Sequence, residues 1–240
     1  MPQSIQELRK ICQPPHEATF TARVVRYVSI YLTWLLVKTP VTANQVSVMC
    51  LVSGIAGAFL LGSSQYVVTI FGVLLLQLSC LLDYSDGEVA RYRKKPSMLG
   101  TLLDVNFHRI IDGATFAGIT YAVFSSYWQN PIVFWFGAIA ITFTSLNRSL
   151  RANVMRILIE GGQDNVLENY KNVVVSTRKG SQLIKVAEDF LFGYVIFVFI
   201  ILLLGGLLRR FDVILLYYGV IFPLYYILKT ALLWKRLAIN

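Results

Sequence analysis

Residues 66–91 read YVVTIFGVLLLQLSCLLDYSDGEVAR. The first seventeen, Tyr66 to Leu82, carry no charge, and the run passes without a break into Asp83, Asp86, Glu88 and Arg91. A helix of that length crosses most of the roughly 30 Å hydrocarbon core of a bilayer. Ionisable groups beside lipid are costly and are retained where they have a partner or a task. An apolar rod that ends in carboxylates therefore announces both a membrane fold and a site at one edge of it.

The rest of the chain has the same character. Of its 240 residues 56% are hydrophobic and only 15% charged, with a mean hydropathy of +0.60, too apolar for a soluble domain. The excess of 22 Lys and Arg over 13 Asp and Glu reports orientation and lipid-headgroup contact, and no nucleic-acid module or nucleic-acid partner is indicated. Cys12, Cys50 and Cys80 are odd in number and unclustered, which fits neither a disulfide framework nor a zinc site. Met1 to Ala22 has no long apolar stretch, which argues against a cleaved signal peptide.

Outward from the second helix, the pattern reads as an all-α integral membrane protein. Arg23 to Lys38 is an apolar run too short to span, flanked by cations and closed by Thr39-Pro40, and is expected to be an interfacial helix. Spans are expected at Thr42–Leu61, with Gly54 and Gly57 for close packing, at Tyr66–Leu82, Met98–Phe124 and Pro131–Leu158, then at Lys185–Leu208 and Phe211–Trp234. That gives six transmembrane helices in residues 42–240, preceded by a juxtamembrane segment over 1–41. Gly62–Gln65 and Ser125–Asn130 are expected turns, and Ile159–Gln182 a polar loop with one surface helix at Asn165–Val173. Arg91, Arg93, Lys94, Lys95, Arg148, Arg151, Arg156, Lys171, Arg178 and Lys179 fall on one side, which should be cytoplasmic; Arg209 and Arg210 dissent.

The charged end of the second helix has chemistry in it. If it is helical, Asp83, Asp86, Gly87, Ala90 and Arg91 lie within an arc of roughly 140°. Gly100 opens the next helix, along which Asp104, His108 and Asp112 form a second stripe, drifting by only ~40° per step. Several carboxylates this close would neutralise one another unless a cation joined them. Oxygen ligands suit Mg²⁺, Mn²⁺ or Ca²⁺, and Mg²⁺ commonly pairs protein carboxylates with substrate phosphates. Gly87 and Ala90 leave room for a flat or phosphorylated group, and Arg91 can meet its charge. The plain alternative is a set of snorkelling interfacial residues beside packing glycines; a transporter's ion site is disfavoured because these carboxylates sit at a membrane edge and not at the midplane.

Asp83-x2-Asp86-Gly87-x2-Ala90-Arg91, eight residues, then Gly100-x3-Asp104-x3-His108 resembles the signature of the CDP-alcohol phosphotransferases (CDP-alcohol phosphatidyltransferases), D-x2-D-G-x2-A-R followed by G-x3-D-x3-D. Seven of eight signature positions match, and Thr42-Ala43-Asn44-Gln45-Val46-Ser47 is similar to the T-P-N-Q-V-T segment before the first membrane helix of many members. The resemblance implies a homodimeric six-helix enzyme, facing the cytoplasm of a prokaryotic plasma membrane, that displaces CMP from a CDP-linked lipid donor, usually CDP-diacylglycerol. A small alcohol or sugar phosphate would be the acceptor, and two divalent ions, Mg²⁺ or Mn²⁺, the cofactors. It further implies that Asp83, Asp86 and Asp104 hold metal. Gly87, Ala90 and Gly100 would admit the nucleotide, Arg91 would face its phosphates, and Thr42 and Asn44 would close over it.

His108 departs from the pattern, standing where the family has the Asp assigned as general base and second-metal ligand. Imidazole is a competent base near neutral pH and a poor Mg²⁺ ligand. The residue therefore reads as proton acceptor, as metal ligand, as a packing residue, or as the mark of a relative that binds a CDP-lipid without turnover. Asp112, one turn deeper, is a candidate substitute base. Arg148, Arg151 and Arg156 suit lipid-phosphate anchoring or an anionic acceptor, with Arg148, beside Asn147, the nearest to the bilayer. His16 has no assigned role.

Overall fold

The computed structural model describes residues 4–13, 20–95, 98–160, 191 and 193–237. The expected surface helix at Asn165–Val173, the start of the Lys185–Leu208 span and His16 lie outside them. Two helices form the amino-terminal part, α1 (Ile5–Cys12) and α2 (Phe20–Leu36). Then come α3 (Ala43–Leu61), α4 (Tyr66–Tyr92), α5 (Met98–Val123) and α6 (Ile132–Glu160), followed by α7 (Tyr194–Leu207) and α8 (residues 211–237). No strand occurs among the described residues.

Local chemistry explains where these helices begin and stop. Thr42 caps α3 through a reciprocal pair with Gln45: the Gln45 amide donates to Thr42 Oγ1 at 3.3 Å, and the Thr42 amide donates to Gln45 Oε1 at 2.8 Å. Ser4 caps α1, a helix the hydropathy pattern did not single out because it is short and carries three charges in eight residues. The turn expected at Ser125–Asn130 is shorter in fact: α5 continues as a wide π-turn through Phe124–Trp128 before Gln129, at φ 44°, reverses the chain. Similar π-turns interrupt α7 and α8.

Among the described residues, three helices are long and apolar enough to cross a membrane: Ala43–Leu61, Tyr66–Tyr92 and Phe211–Lys235. α5 and α6 match them in length but carry Asp104, His108, Arg109 and Asp112 on one and Arg148, Arg151 and Arg156 on the other. Large apolar side chains face outward, among them Phe59, Val67, Trp135 and Trp234, each more than 70% exposed, as a lipid-facing surface requires.

α4 is the central strut, packed along α3 and also touching α2, α1 and α7. At the α3–α4 crossing the backbones nearly meet: a Cβ on Gly57 would lie 2.7 Å from the Gly72 carbonyl oxygen, and one on Gly72 would lie 2.8 Å from that of Gly57. Phe116 stacks on Phe197 and both rings meet Tyr218 at an angle, with centroids 4.8–5.4 Å apart, which ties α5, α7 and α8 together. α2 does more than lie at a surface. Its Val25, Ser29, Ile30 and Thr33 are buried, the two hydroxyls against α4, while Tyr27, Val28, Tyr31 and Leu35 face out.

Candidate active site

The two polar stripes meet. Asp83 leaves α4 and Asp104 leaves α5, and each places a carboxylate oxygen 3.0 Å from His108 Nε2, also on α5. One donor atom from each of the three residues lies within 4.8 Å of the other two. Asp104 is the most open, with 46% of its side chain exposed; Asp83 and His108 are largely enclosed. Two carboxylates and an imidazole that share one focus fit a divalent cation: the oxygens are hard ligands, and the imidazole is borderline. Because the same ring nitrogen addresses both carboxylates, the geometry favours His108 as a ligand or bridge over His108 as a free proton acceptor.

Beside this group a cleft of about 220 Å³ opens between the start of α3 and the ends of α4 and α5. Asp86, Gly87, Ala90 and Arg91 line it from α4, and Gly100 and Asp104 from α5. Asn44 and Ser47 close the third side, and Lys95 adds a cation at the rim. The Arg91 guanidinium lies across Gly87, where a Cβ would sit 3.4 Å from Nη1. Asp86 belongs to the cleft wall rather than to the three-residue focus, and it accepts a hydrogen bond from Ser47 Oγ at 2.6 Å. Thr42 does not line the cleft; its side chain is used in the α3 cap.

Asp112 and Arg148 are set apart from the cleft. The Arg148 fork takes both carboxylate oxygens of Asp112, Nη2 to Oδ1 at 3.0 Å and Nε to Oδ2, and its guanidinium lies 4.4 Å from the Tyr194 ring centre. A bidentate guanidinium occupies both carboxylate oxygens, so the geometry gives Asp112 a structural partner. The pair lines a smaller cavity of about 120 Å³ with Asn147 and Tyr194. Tyr194 also sets its ring edge-on to His108, with centroids 6.1 Å apart, and so joins this cavity to the metal-binding candidates.

Sequence reasoning did not single out Tyr194 or Glu88 for roles in the site. Tyr194 stood in what read as plain span. Glu88 was one charge in a charged helix end, yet its position two residues past Asp86, roughly 200° around a helix, was a usable signal. An acid on the face turned away from the site has to be solvated or paired. The chain buries it completely, among α1 and α2. Cys12, on α1, is buried too, and burial together with the Glu88 charge pushes its thiol up to about 11.

A family model described as CDP-alcohol phosphatidyltransferase matches residues 40–234. Among curated proteins the chain is 33% identical over 116 residues to the bifunctional IPC transferase and DIPP synthase of Thermococcus kodakarensis, covering 48% of this chain and 25% of that one. It is 39% identical over 66 residues to the archaetidylinositol phosphate synthase of Aeropyrum pernix, 28% of this chain and 34% of the relative. With the phosphatidylinositol phosphate synthase of Corynebacterium glutamicum it shares 33% identity over 93 residues, 39% and 42% of the two chains. The matched stretches thus span between about a quarter and two fifths of these relatives' lengths.

Proposed function

We propose, for a chain that belongs to the CDP-alcohol phosphatidyltransferase family, that it moves a phosphatidyl or related phospho-group from a CDP-activated lipid, with CDP-diacylglycerol the leading donor, to a hydroxyl acceptor. The single observation that carries this reading is the convergence of Asp83, Asp104 and His108 beside a cleft that Asp104 lines together with Gly87, Ala90 and Arg91. Two of the three relatives' names give inositol phosphate lipids as products, which makes a phosphorylated polyol the first acceptor class to try.

In this reaction the acceptor oxygen forms a bond to the phosphorus that carries the lipid. The bond from that phosphorus to the bridging oxygen breaks, and its electron pair leaves with CMP. Arg91 meets the diphosphate, and Gly87 and Ala90 let the nucleotide approach the α4 backbone. The proton lost by the acceptor hydroxyl passes to Asp104, the most exposed of the three converging side chains, on the carboxylate oxygen that does not face His108. Asp83, Asp104 and His108 would hold one divalent ion, Mg²⁺ or Mn²⁺, with Asp86 the remaining carboxylate for a second; such ions neutralise the diphosphate and stabilise the leaving group. Asn44, from the start of α3, covers the nucleotide.

The same reading takes α3 to α8 as six spans, with α1 and α2 at the cytoplasmic interface and the protein a homodimer in the membrane. The three long apolar helices and the gathering of basic residues at one end support it. The test is turnover by the purified protein in detergent micelles supplied with CDP-diacylglycerol and Mn²⁺ or Mg²⁺. The acceptor panel is inositol phosphate, glycerol phosphate and serine, with CMP and lipid products resolved by mass. Acceptor-dependent CMP release is the expected result; none with any acceptor and either metal overturns the assignment.

A further inference from the structure

Glu88 is fully buried and accepts hydrogen bonds at both carboxylate oxygens. Gln13 Nε2 at 2.8 Å, Ser29 Oγ at 3.0 Å and Arg26 Nη1 at 3.5 Å reach Oε1, and Thr33 Oγ1 reaches Oε2 at 2.5 Å. A desolvated carboxylate persists only when its charge and lone pairs are met in this way. All four donors come from the amino-terminal helices, so this one side chain fastens α1 and α2 to α4.

A second link runs back to the cleft. Gln13 caps the carboxyl end of α1 and also donates to the Arg26 carbonyl oxygen at 2.7 Å. The residue before it, Cys12, offers its carbonyl oxygen to Arg91 Nε. With Nε held from behind, both terminal nitrogens of Arg91 lie across Gly87 at the cleft wall, with four N–H groups for a phosphate. The placement of that fork depends on where the Cys12 carbonyl stands, and Gln13 and Glu88 set that.

We infer that Glu88 is a positioning residue for donor binding: through Gln13 and the Cys12 carbonyl it aims the Arg91 guanidinium at the diphosphate of a CDP-linked donor. The inference rests on the reading that the cleft takes a cytidine diphosphate. Glu88 touches no substrate, and its influence is specific to the donor.

The experiment titrates CDP, in the presence of Mn²⁺, into the full-length protein in detergent and into Glu88→Gln, Arg91→Lys and the double variant. Glu88→Gln and Arg91→Lys are each expected to weaken CDP binding about tenfold, and the double variant no more than the stronger single one, because both act through one fork. In turnover, Glu88→Gln is expected to raise KM for the donor by the same factor, leaving kcat and the acceptor KM within about twofold. Gln13→Ala, a milder cut in the same relay, is expected to weaken CDP binding in the same direction, and serves if Glu88→Gln does not fold. Wild-type affinity for CDP in Glu88→Gln, or in Gln13→Ala where that variant has to serve, or fully additive losses in the double variant, overturns the inference while leaving the function intact. If the wild-type protein binds no CDP, the reading of the cleft falls, and the inference with it.

Discussion

At His108 an imidazole stands where a carboxylate would complete an all-oxygen set, and its Nε2 faces both Asp83 and Asp104. Replacing an oxygen ligand by a nitrogen moves preference away from Mg²⁺ towards transition ions such as Mn²⁺. His108→Asp is therefore expected to lower the ratio of Mn²⁺- to Mg²⁺-supported CMP release and to weaken Mn²⁺ binding read by electron paramagnetic resonance; an unchanged ratio would remove His108 from the metal site. Asp83→Asn takes a charge from the same focus and is expected to cut turnover by about 10²–10³-fold, a range typical when one stabilising group is lost. Arg148 answers a different question. Its bidentate grip on Asp112 predicts that Arg148→Gln strands a carboxylate and destabilises the protein by about 3–5 kcal/mol. Thermal unfolding in detergent measures this, and an unchanged melting temperature would restore Arg148 as an acceptor ligand. Cys12, raised to about 11, stays a thiol at neutral pH and is expected to react with maleimide only after unfolding.

At the scale of elements, α4 organises the molecule, and its two faces were unequally visible beforehand. The Asp83, Asp86, Gly87, Ala90 and Arg91 face was legible because spacing alone puts those residues on one arc. The Glu88 face was not, because three of its four donors, Gln13, Ser29 and Thr33, are uncharged side chains scattered over a segment with no distinctive period. The pattern similarly revealed α3 to α6 from hydropathy while missing α1, whose charges hide a short helix with two buried residues, Leu8 and Cys12. The π-turn at Phe124–Trp128 had no sequence signal either, since widening a helical turn requires no particular residue type. The glycines of α3 were legible as packing residues, and the Gly57–Gly72 approach sharpens that into a prediction. Gly57→Leu is expected to destabilise the α3–α4 pair by about 1–3 kcal/mol, seen as a lower melting temperature, with CMP release by the surviving folded fraction preserved.

For the whole molecule, hydropathy and charge count already implied an all-helical chain with a polar edge, and what they lacked was depth. Asp112 and Arg148 read as site residues because they lie on the right helices, yet they pair with each other behind Tyr194 and away from the cleft. Distance along a stripe is legible in a sequence; which of two neighbouring cavities a side chain joins depends on the packing of α7, from which no polar signal came.

The bond from Arg91 to the Cys12 carbonyl is made to the main chain, which every amino acid supplies alike. What α1 owes the cleft is thus a location and not a chemical identity. Point replacements along its solvent side should pass unnoticed, whereas losing or gaining one residue within Ile5–Cys12 would swing that oxygen by about 100° around the helix and leave Arg91 without its rear support. Drift in this segment is consequently free in spelling and constrained in length.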